Sequence, residues 1–276
     1  MKKILSKAWG IGLIFWPLSL FLANTQENFI HYLIPTLLLI ISYLLYLKNS
    51  KVFLFPPILI AIIEIKLLPF ILIFLFISML SNPGGKRIVL FLLLLIMVTY
   101  GLLNRQLIME QIVLKFDYEK QQEVIREIHL YPNVLMARIF QNKVRLVADK
   151  YTENLFALSD PNNYFFSNHP REDATINQNL VKYPFLSIIP VLLGFYYLRK
   201  DKNSKFMLTV LVSAIFGLSL LINFDRHDFI LYLPLSSVFI AGFNILMKTK
   251  AIISYSFIFV FIVLSLIELV RIFYIF

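Results

Sequence analysis

Long apolar runs, separated by short polar segments, dominate the chain. Seven of these runs are long enough to cross about 30 Å of hydrocarbon as helices, namely Ile4–Ala23, Phe29–Leu47, Ile88–Leu103, Tyr183–Leu198, Phe206–Ile222, Phe229–Met247 and Ala251–Val270. The first run has Lys2, Lys3 and Lys7 at its start, as a signal peptide does, but Phe21 disrupts the small-x-small pattern that cleavage near Ala23 needs. We therefore expect this run to be retained as a membrane span.

An eighth apolar block, Val52–Leu80, is interrupted by prolines and carries Glu64 and Lys66 near its middle. As a single helix it would be about 43 Å long, which exceeds the thickness of one bilayer. We expect a short re-entrant or interfacial hairpin with Glu64 and Lys66 at its turn. A single kinked span is the alternative.

The positions of the basic residues favour the hairpin and indicate the orientation of the spans. With the N-terminus inside, 13 basic residues collect in the inner loops and four in the short outer segments. The inner set is Lys2, Lys3, Lys7, Lys48, Lys51, Lys86, Arg87, Arg199, Lys200, Lys202, Lys205, Lys248 and Lys250. The outer set is Lys66, Lys182, Arg226 and Arg271. The formal net charge of +10 is therefore mostly topogenic, and we expect no nucleic-acid partner.

Composition agrees with this pattern, since 59% of residues are apolar, 15% are charged and the mean hydropathy is +0.77. We expect an all-α, polytopic membrane protein with a cytoplasmic N-terminus, of the kind found in a bacterial cytoplasmic membrane. The absence of cysteine excludes disulfides and thiolate metal sites. Three regions follow: an N-terminal membrane region at 1–103, an external helical segment and loop at 104–181, and a C-terminal membrane region at 182–276.

The external segment is the one sizeable polar region of the sequence. Asn104–Leu130 lacks proline and glycine, which predicts a helix that continues out of the membrane. Farther on, apolar residues recur every three or four positions and predict a continuous helix over Asn133–Leu158 that stops at Ser159. This apolar seam consists of Met136, Phe140, Val144, Val147, Tyr151, Leu155 and Leu158. We expect Tyr164–Val181 to be a loop over the outer membrane surface.

A polar cluster between two predicted spans is the candidate binding site, and it consists of Asn223, Asp225, Arg226, His227 and Asp228. An arginine at a helix mouth offers a forked set of donors to a phosphate group in a partly desolvated place. These residues predict binding of an anionic lipid headgroup, and a solvated turn is the alternative. The four histidines lack the spacing of a metal site, and no nucleotide-binding or hydrolase motif occurs. We expect no metal ion and no cofactor.

Four segments carry a resemblance to a known family: YPNVLMARIFQNK (131–143), KYTENLFALSDPNNYFFSN (150–168), GFYYLRKDK (194–202) and NFDRHDFILYLPLSSVFIAGF (223–243). Their order resembles the C-terminal half of GT-C membrane glycosyltransferases, the superfamily of protein mannosyltransferases and lipid A aminoarabinose transferases. The resemblance implies transfer of a sugar from a polyprenyl-phosphate donor to an acceptor on the outer face, by an inverting displacement. It also implies that Arg226 and His227 bind the donor phosphate.

In GT-C enzymes a carboxylate of the first outer loop activates the acceptor or binds a metal. The corresponding loop here is Asn24–Asn28, its sole carboxylate is Glu27, and the first aspartate of the chain is Asp117. The catalytic residues are therefore unassigned. One hypothesis is a truncated or degenerate GT-C protein that handles a polyprenyl-phosphate-linked sugar. The alternative is a noncatalytic membrane subunit whose external helices dock a partner protein.

Overall fold

The computed structural model describes residues 29–48, 50–81, 85–115, 118–130, 142–165, 183–198, 205–224, 227, 229–248 and 251–275. Its α-helices are α1 (Phe29–Leu47), α2 (Phe55–Ile63), α3 (Leu68–Ser81), α4 (Gly85–Leu103), α5 (Arg105–Met109), α6 (Tyr118–His129), α7 (Lys143–Ser159), α8 (Asn162–Phe165), α9 (Ile188–Leu198), α10 (Lys205–Leu218), α11 (Phe229–Leu246) and α12 (Ala251–Ile275). Among these residues the sole β-type pairing is an isolated bridge between Ile112 and Leu221. The predicted all-α fold class is therefore confirmed for the described part of the chain.

Several predicted spans coincide with helices. The bounds of α1 are those predicted, α4 begins slightly before Ile88, and α12 continues beyond Val270. The run Ile4–Ala23 lies outside the described residues. Of the helices in the described ranges, none combines the length and the apolar character that a membrane crossing requires.

The chain divides into two compact units, each built from segments that are distant in sequence. Unit 1 contains the described parts of Met1–Pro56, Asp160–Val212 and Phe229–Phe276. Unit 2 contains the described parts of Pro57–Ser159 and Ser213–Asp228. The three regions expected along the chain remain a prediction.

In unit 1, two helices approach each other backbone to backbone. Gly194 lies on α9 and Gly242 on α11, where a Cβ at Gly194 would overlap the carbonyl oxygen of Val238. A Cβ at Gly242 would overlap the carbonyl oxygen of Pro190. Only glycine lacks the Cβ, so these two positions allow α9 and α11 to pack closely.

The start of α9 is tied to α11 by an aromatic cluster. Tyr183 is buried, and its hydroxyl donates to the carbonyl oxygen of Tyr232 over 3.0 Å. The rings of Tyr164 and Phe165 pack against this pair. Because Pro184 and a 3₁₀ turn follow, the α-helix begins at Ile188, and the prediction of a span from Tyr183 is wrong in its first residues.

In unit 2, α3 packs against α4 and carries seven buried residues. The largest of these are Leu68, Phe70, Ile71, Phe74 and Leu75. Gly217, near the end of α10, lies against the backbone of Phe70, where a Cβ would overlap. Burial of these large side chains is the main stabilising contribution to unit 2, at about 1.5–3 kcal/mol for each.

The apolar block Val52–Leu80 is broken at Glu64, as predicted. Glu64 has an extended backbone with φ −127° and ψ 92°, and it separates α2 from a 3₁₀ turn, Ile65–Leu67, that leads into α3. The two helices, both fully described, do not pack along each other. The break is therefore confirmed, whereas the hairpin and its alternative, a single kinked span, remain predictions.

The prediction of one helix over Asn104–Leu130 is wrong. The helix α5 ends at Met109, and α6 begins at Tyr118. In the interval the amide of Val113 donates to the carbonyl oxygen of Leu220 over 2.9 Å. At Val113 this pairing with a distant segment takes the place of the helical hydrogen bond. On the partner segment, α10 ends at Leu218 rather than at the predicted Ile222.

The end of the predicted helix Asn133–Leu158 is confirmed, because α7 ends at Ser159. Its residues before Asn142 lie outside the described ranges, Phe140 of the apolar seam included. The seam is not uniformly buried, since Val144 is 76% exposed. The two buried residues of α7 are Asn154 and Leu158.

Candidate functional site

A small polar cavity in unit 2 is the candidate site. Its volume is about 30 Å³, and it is lined by Lys66, Gln111, Leu221, Asn223 and His227. A cavity holds one water molecule once this volume reaches roughly 10–15 Å³, so there is room for about two water-sized groups. The cavity therefore suits two oxygen atoms of a ligand rather than a whole sugar.

Three separate parts of the chain supply these residues. The break at Glu64 ends α2, and Lys66 lies in the 3₁₀ turn that follows it. Gln111 follows α5, in the stretch that leaves the helical conformation. Asn223 and His227 lie between α10 and α11, where the amide of His227 donates to the carbonyl oxygen of Phe224 over 2.9 Å.

Backbone hydrogen bonds hold two of these parts together. The amide of Val113 donates to the Leu220 carbonyl, and the amide of Ile222 donates to the Gln111 carbonyl, both over 2.9 Å. The bridge between Ile112 and Leu221 lies between these two bonds. This pairing sets Gln111 beside the residues that lead to Asn223.

The other edge of the 219–222 segment is held by Asn154 of α7. The side chain of Asn154 is fully buried, and its Nδ2 donates to the carbonyl oxygens of Ser219 over 3.1 Å and Leu221 over 2.8 Å. These carbonyls follow the end of α10, where helical partners run out. The Asn154 Oδ1 atom is buried and has no hydrogen-bond partner among the described residues. Such an unsatisfied group costs about 1–3 kcal/mol in stability. The two hydrogen bonds donated by Nδ2 offset this cost.

The chemistry of the cavity is that of an anion site. Lys66 brings an ammonium group, the amides of Gln111 and Asn223 bring neutral donors, and the imidazole of His227 brings one or two more. Of the described residues that line the cavity, none carries a carboxylate. Charge-assisted hydrogen bonds from such donors favour phosphate or carboxylate oxygens.

The structure brings together some of the predicted site residues with others that the sequence did not assign. Asn223 and His227 line the cavity, as a binding role requires. Asp225, Arg226 and Asp228 lie outside the described residues. Lys66 was expected at a hairpin turn and not in the site, while Gln111 and Asn154 were not expected to contribute. Within the described ranges, no three histidine, cysteine, aspartate or glutamate side chains are grouped as metal ligands.

Comparison with protein-family models, with curated proteins and with solved structures finds no match to this chain. The resemblance to GT-C transferases therefore stays a hypothesis from the sequence.

Proposed function

We propose that this protein is a multi-pass membrane protein, similar to a truncated or degenerate GT-C glycosyltransferase, that binds the phosphate of a polyprenyl-phosphate-linked sugar at the outer face. One observation carries the proposal: Lys66, Asn223 and His227 line the same cavity. A cation, an amide and an imidazole at one small cavity are suited to phosphate oxygens.

The proposed orientation supports this assignment. The charge pattern puts Lys66 at the turn of a block that returns to the inner side, and it puts 223–228 in an outer loop. It also puts Gln111 early in the external segment. These three assignments follow from the one predicted topology, and the residues concerned line one cavity.

Membrane embedding is supported by exposed apolar side chains, independently of the length of any helix. On α4, Ile88, Leu102 and Leu103 are 66%, 65% and 85% exposed. On α12, Phe259 is 70% exposed, and further exposed apolar residues follow along the same helix. Exposed apolar surface on this scale needs a lipid or protein environment.

In a transfer reaction the cavity would hold the leaving phosphate. The bond between the anomeric carbon and the phosphate oxygen breaks, and the phosphate keeps the electron pair. The acceptor hydroxyl forms the new bond and gives its proton to a base. No residue of the described part is assigned as this base, and Glu27 lies outside it.

The test measures binding of a polyprenyl-phosphate-linked sugar to the purified protein in detergent. We expect Lys66→Gln and His227→Gln each to weaken binding about tenfold, because each removes a donor to a charged group. Arg226→Gln should weaken binding more than Arg226→Lys, since lysine keeps the charge but loses the fork. Lys48→Gln is the matched control, because Lys48 is exposed and belongs to unit 1.

Inorganic phosphate and phosphatidylglycerol are measured in parallel, so that a general phosphate site is distinguished from a site for the polyprenyl donor. Equal binding by the wild type and by the Lys66 and His227 variants would reject the cavity as the binding site. No binding by the wild type would reject the proposed function.

The alternative function, a noncatalytic subunit that docks a partner, is favoured by two side chains of α7. Val144 is 76% exposed and Phe156 is 73% exposed, although both are apolar. A photoreactive residue at Phe156 should then give a defined protein adduct in native membranes, and adducts with lipid alone would contradict docking.

A further inference from the structure

We propose that Asn154 is a positioning residue of the cavity, through which α7 of the external segment controls the cavity's affinity for phosphate. The inference rests on the proposed function in that it concerns the same site. Asn154 does not line the cavity; it acts on the backbone that carries the lining residues.

The 219–222 segment is held from two directions. The carbonyls of Ser219 and Leu221 accept from Asn154, whereas the carbonyl of Leu220 accepts from Val113. The amide of Ile222 donates to the Gln111 carbonyl. The amides of Ser219, Leu220 and Leu221 donate to the carbonyl oxygens of Ile215, Gly217 and Leu218, so the segment is a turn that continues from α10. Its carbonyl groups and the Ile222 amide are the groups that bind Asn154 and the 111–113 stretch.

Loss of the Asn154 side chain would leave the carbonyls of Ser219 and Leu221 without these hydrogen bonds, so one side of the segment would no longer be held. Leu221 lines the cavity, and its carbonyl is the acceptor of the shorter Asn154 bond, at 2.8 Å. Asn223 comes two residues later and lines the cavity as well. A shift of this short stretch would therefore change the positions of lining residues relative to Lys66.

The orientation of the amide fits a donor role. Its Nδ2 atom makes two hydrogen bonds while its Oδ1 atom makes none with the described residues. Asn154→Asp keeps the shape but sets a carboxylate oxygen against two carbonyl oxygens. Asn154→Leu removes the donors without adding a charge, so it can be measured even if the aspartate variant does not fold.

The first measurement is hydrogen exchange of the full chain in detergent, followed by mass spectrometry. We expect the peptide covering 219–224 to exchange at least about tenfold faster in Asn154→Leu, because its local opening becomes easier. Peptides from α9 and α11 in unit 1 should keep their exchange rates.

The second measurement is the affinity for the polyprenyl-phosphate-linked sugar, which should fall about tenfold in the same variant. Leu158→Ala is the matched control, because Leu158 is 1% exposed one turn farther along α7 and its truncation destabilises without touching the two bonds. A second substitution that restores the thermal stability of Asn154→Leu should not restore its affinity.

Unchanged exchange of 219–224 in Asn154→Leu would overturn the inference. So would an equal loss of affinity in Leu158→Ala, since the effect would then be general destabilisation. If the wild type does not bind the polyprenyl-phosphate-linked sugar, the proposed function fails. Hydrogen exchange then still tests the positioning of 219–224 by Asn154: faster exchange in Asn154→Leu supports it, and unchanged exchange rejects it.

Discussion

Two glycine positions show how a single atom sets the distance between helices. Gly194 and Gly242 lie where α9 and α11 meet, and a Cβ at either would overlap a backbone carbonyl oxygen of the other helix. Backbone atoms cannot move aside as a flexible side chain can. The contact therefore tolerates no larger residue without a shift of a whole helix.

We expect Gly242→Ala to lower the stability of unit 1 by about 1–3 kcal/mol or more, the usual range for overpacking. Thermal unfolding in detergent measures this. Gly101→Ala is the matched control, because a Cβ there meets the flexible end of Leu68, with Cδ2 at 2.9 Å, while alanine favours the helix. Equal unfolding temperatures for the two variants would contradict the close contact.

Asn154 shows what the sequence could have indicated at this scale. It lies three residues after Tyr151 and four before Leu158, so it shares the side of the helix on which the apolar seam runs. A polar residue there signals a buried hydrogen bond. Its partners, however, are carbonyls near the end of α10, and no local pattern identifies them.

At the scale of elements, burial differs between neighbouring residues of the apolar seam on α7. Val147 is half-buried, whereas Val144 of the same helix is 76% exposed. The two residues have the same side chain, and their positions along the helix are less than one turn apart. They therefore separate the effect of burial from the effect of helix propensity.

We expect Val147→Asp to cost about 1–3 kcal/mol, because a charged group enters a partly desolvated contact. Val144→Asp should stay within about 0.5 kcal/mol of the wild type. Thermal unfolding of both variants is the measurement. A similar loss in both would mean that the side of α7 carrying Val147 is not packed.

Element bounds were predictable where local signals decide them. The turn residues after Ser159 end α7 as expected, and the amide of Asn162 accordingly donates to Asp160 Oδ1 over 2.9 Å. The pairing of 111–113 with 220–222 was not predictable, because both stretches are apolar and read as helix. The bonds that override this propensity come from a remote part of the chain. The cavity depends on this pairing, so Asn223 and His227 are the only lining residues that the sequence assigns to the site.

At the scale of the whole molecule, the charge pattern predicts an orientation of the chain in a membrane. Lys48 belongs to the 13 basic residues that are predicted to lie inside, and Asn223 to the predicted outer loop that carries Arg226. Both residues are exposed. The chain contains no cysteine, so one introduced thiol reports on one position.

We expect an impermeant maleimide to label Asn223→Cys in intact cells and to leave Lys48→Cys unlabelled, as the positive-inside rule requires. Both variants should be labelled after the cells are opened, which controls for reactivity. Labelling of Lys48→Cys in intact cells would reverse the orientation and put the cavity on the inner side.

The discontinuous make-up of unit 2 has a consequence for biosynthesis. The stretch Pro57–Ser159 leaves the ribosome well before Ser213–Asp228, yet the carbonyls bound by Asn154 and the carbonyl that accepts from the Val113 amide belong to the later stretch. Contacts between such distant residues form late, because closing a long loop costs entropy before any bond repays it. The Asn154 amide and the segment around Gln111 therefore cannot form these hydrogen bonds until Leu221 has been synthesised. Through this interval the nascent chain is exposed to misassembly and to quality-control proteases.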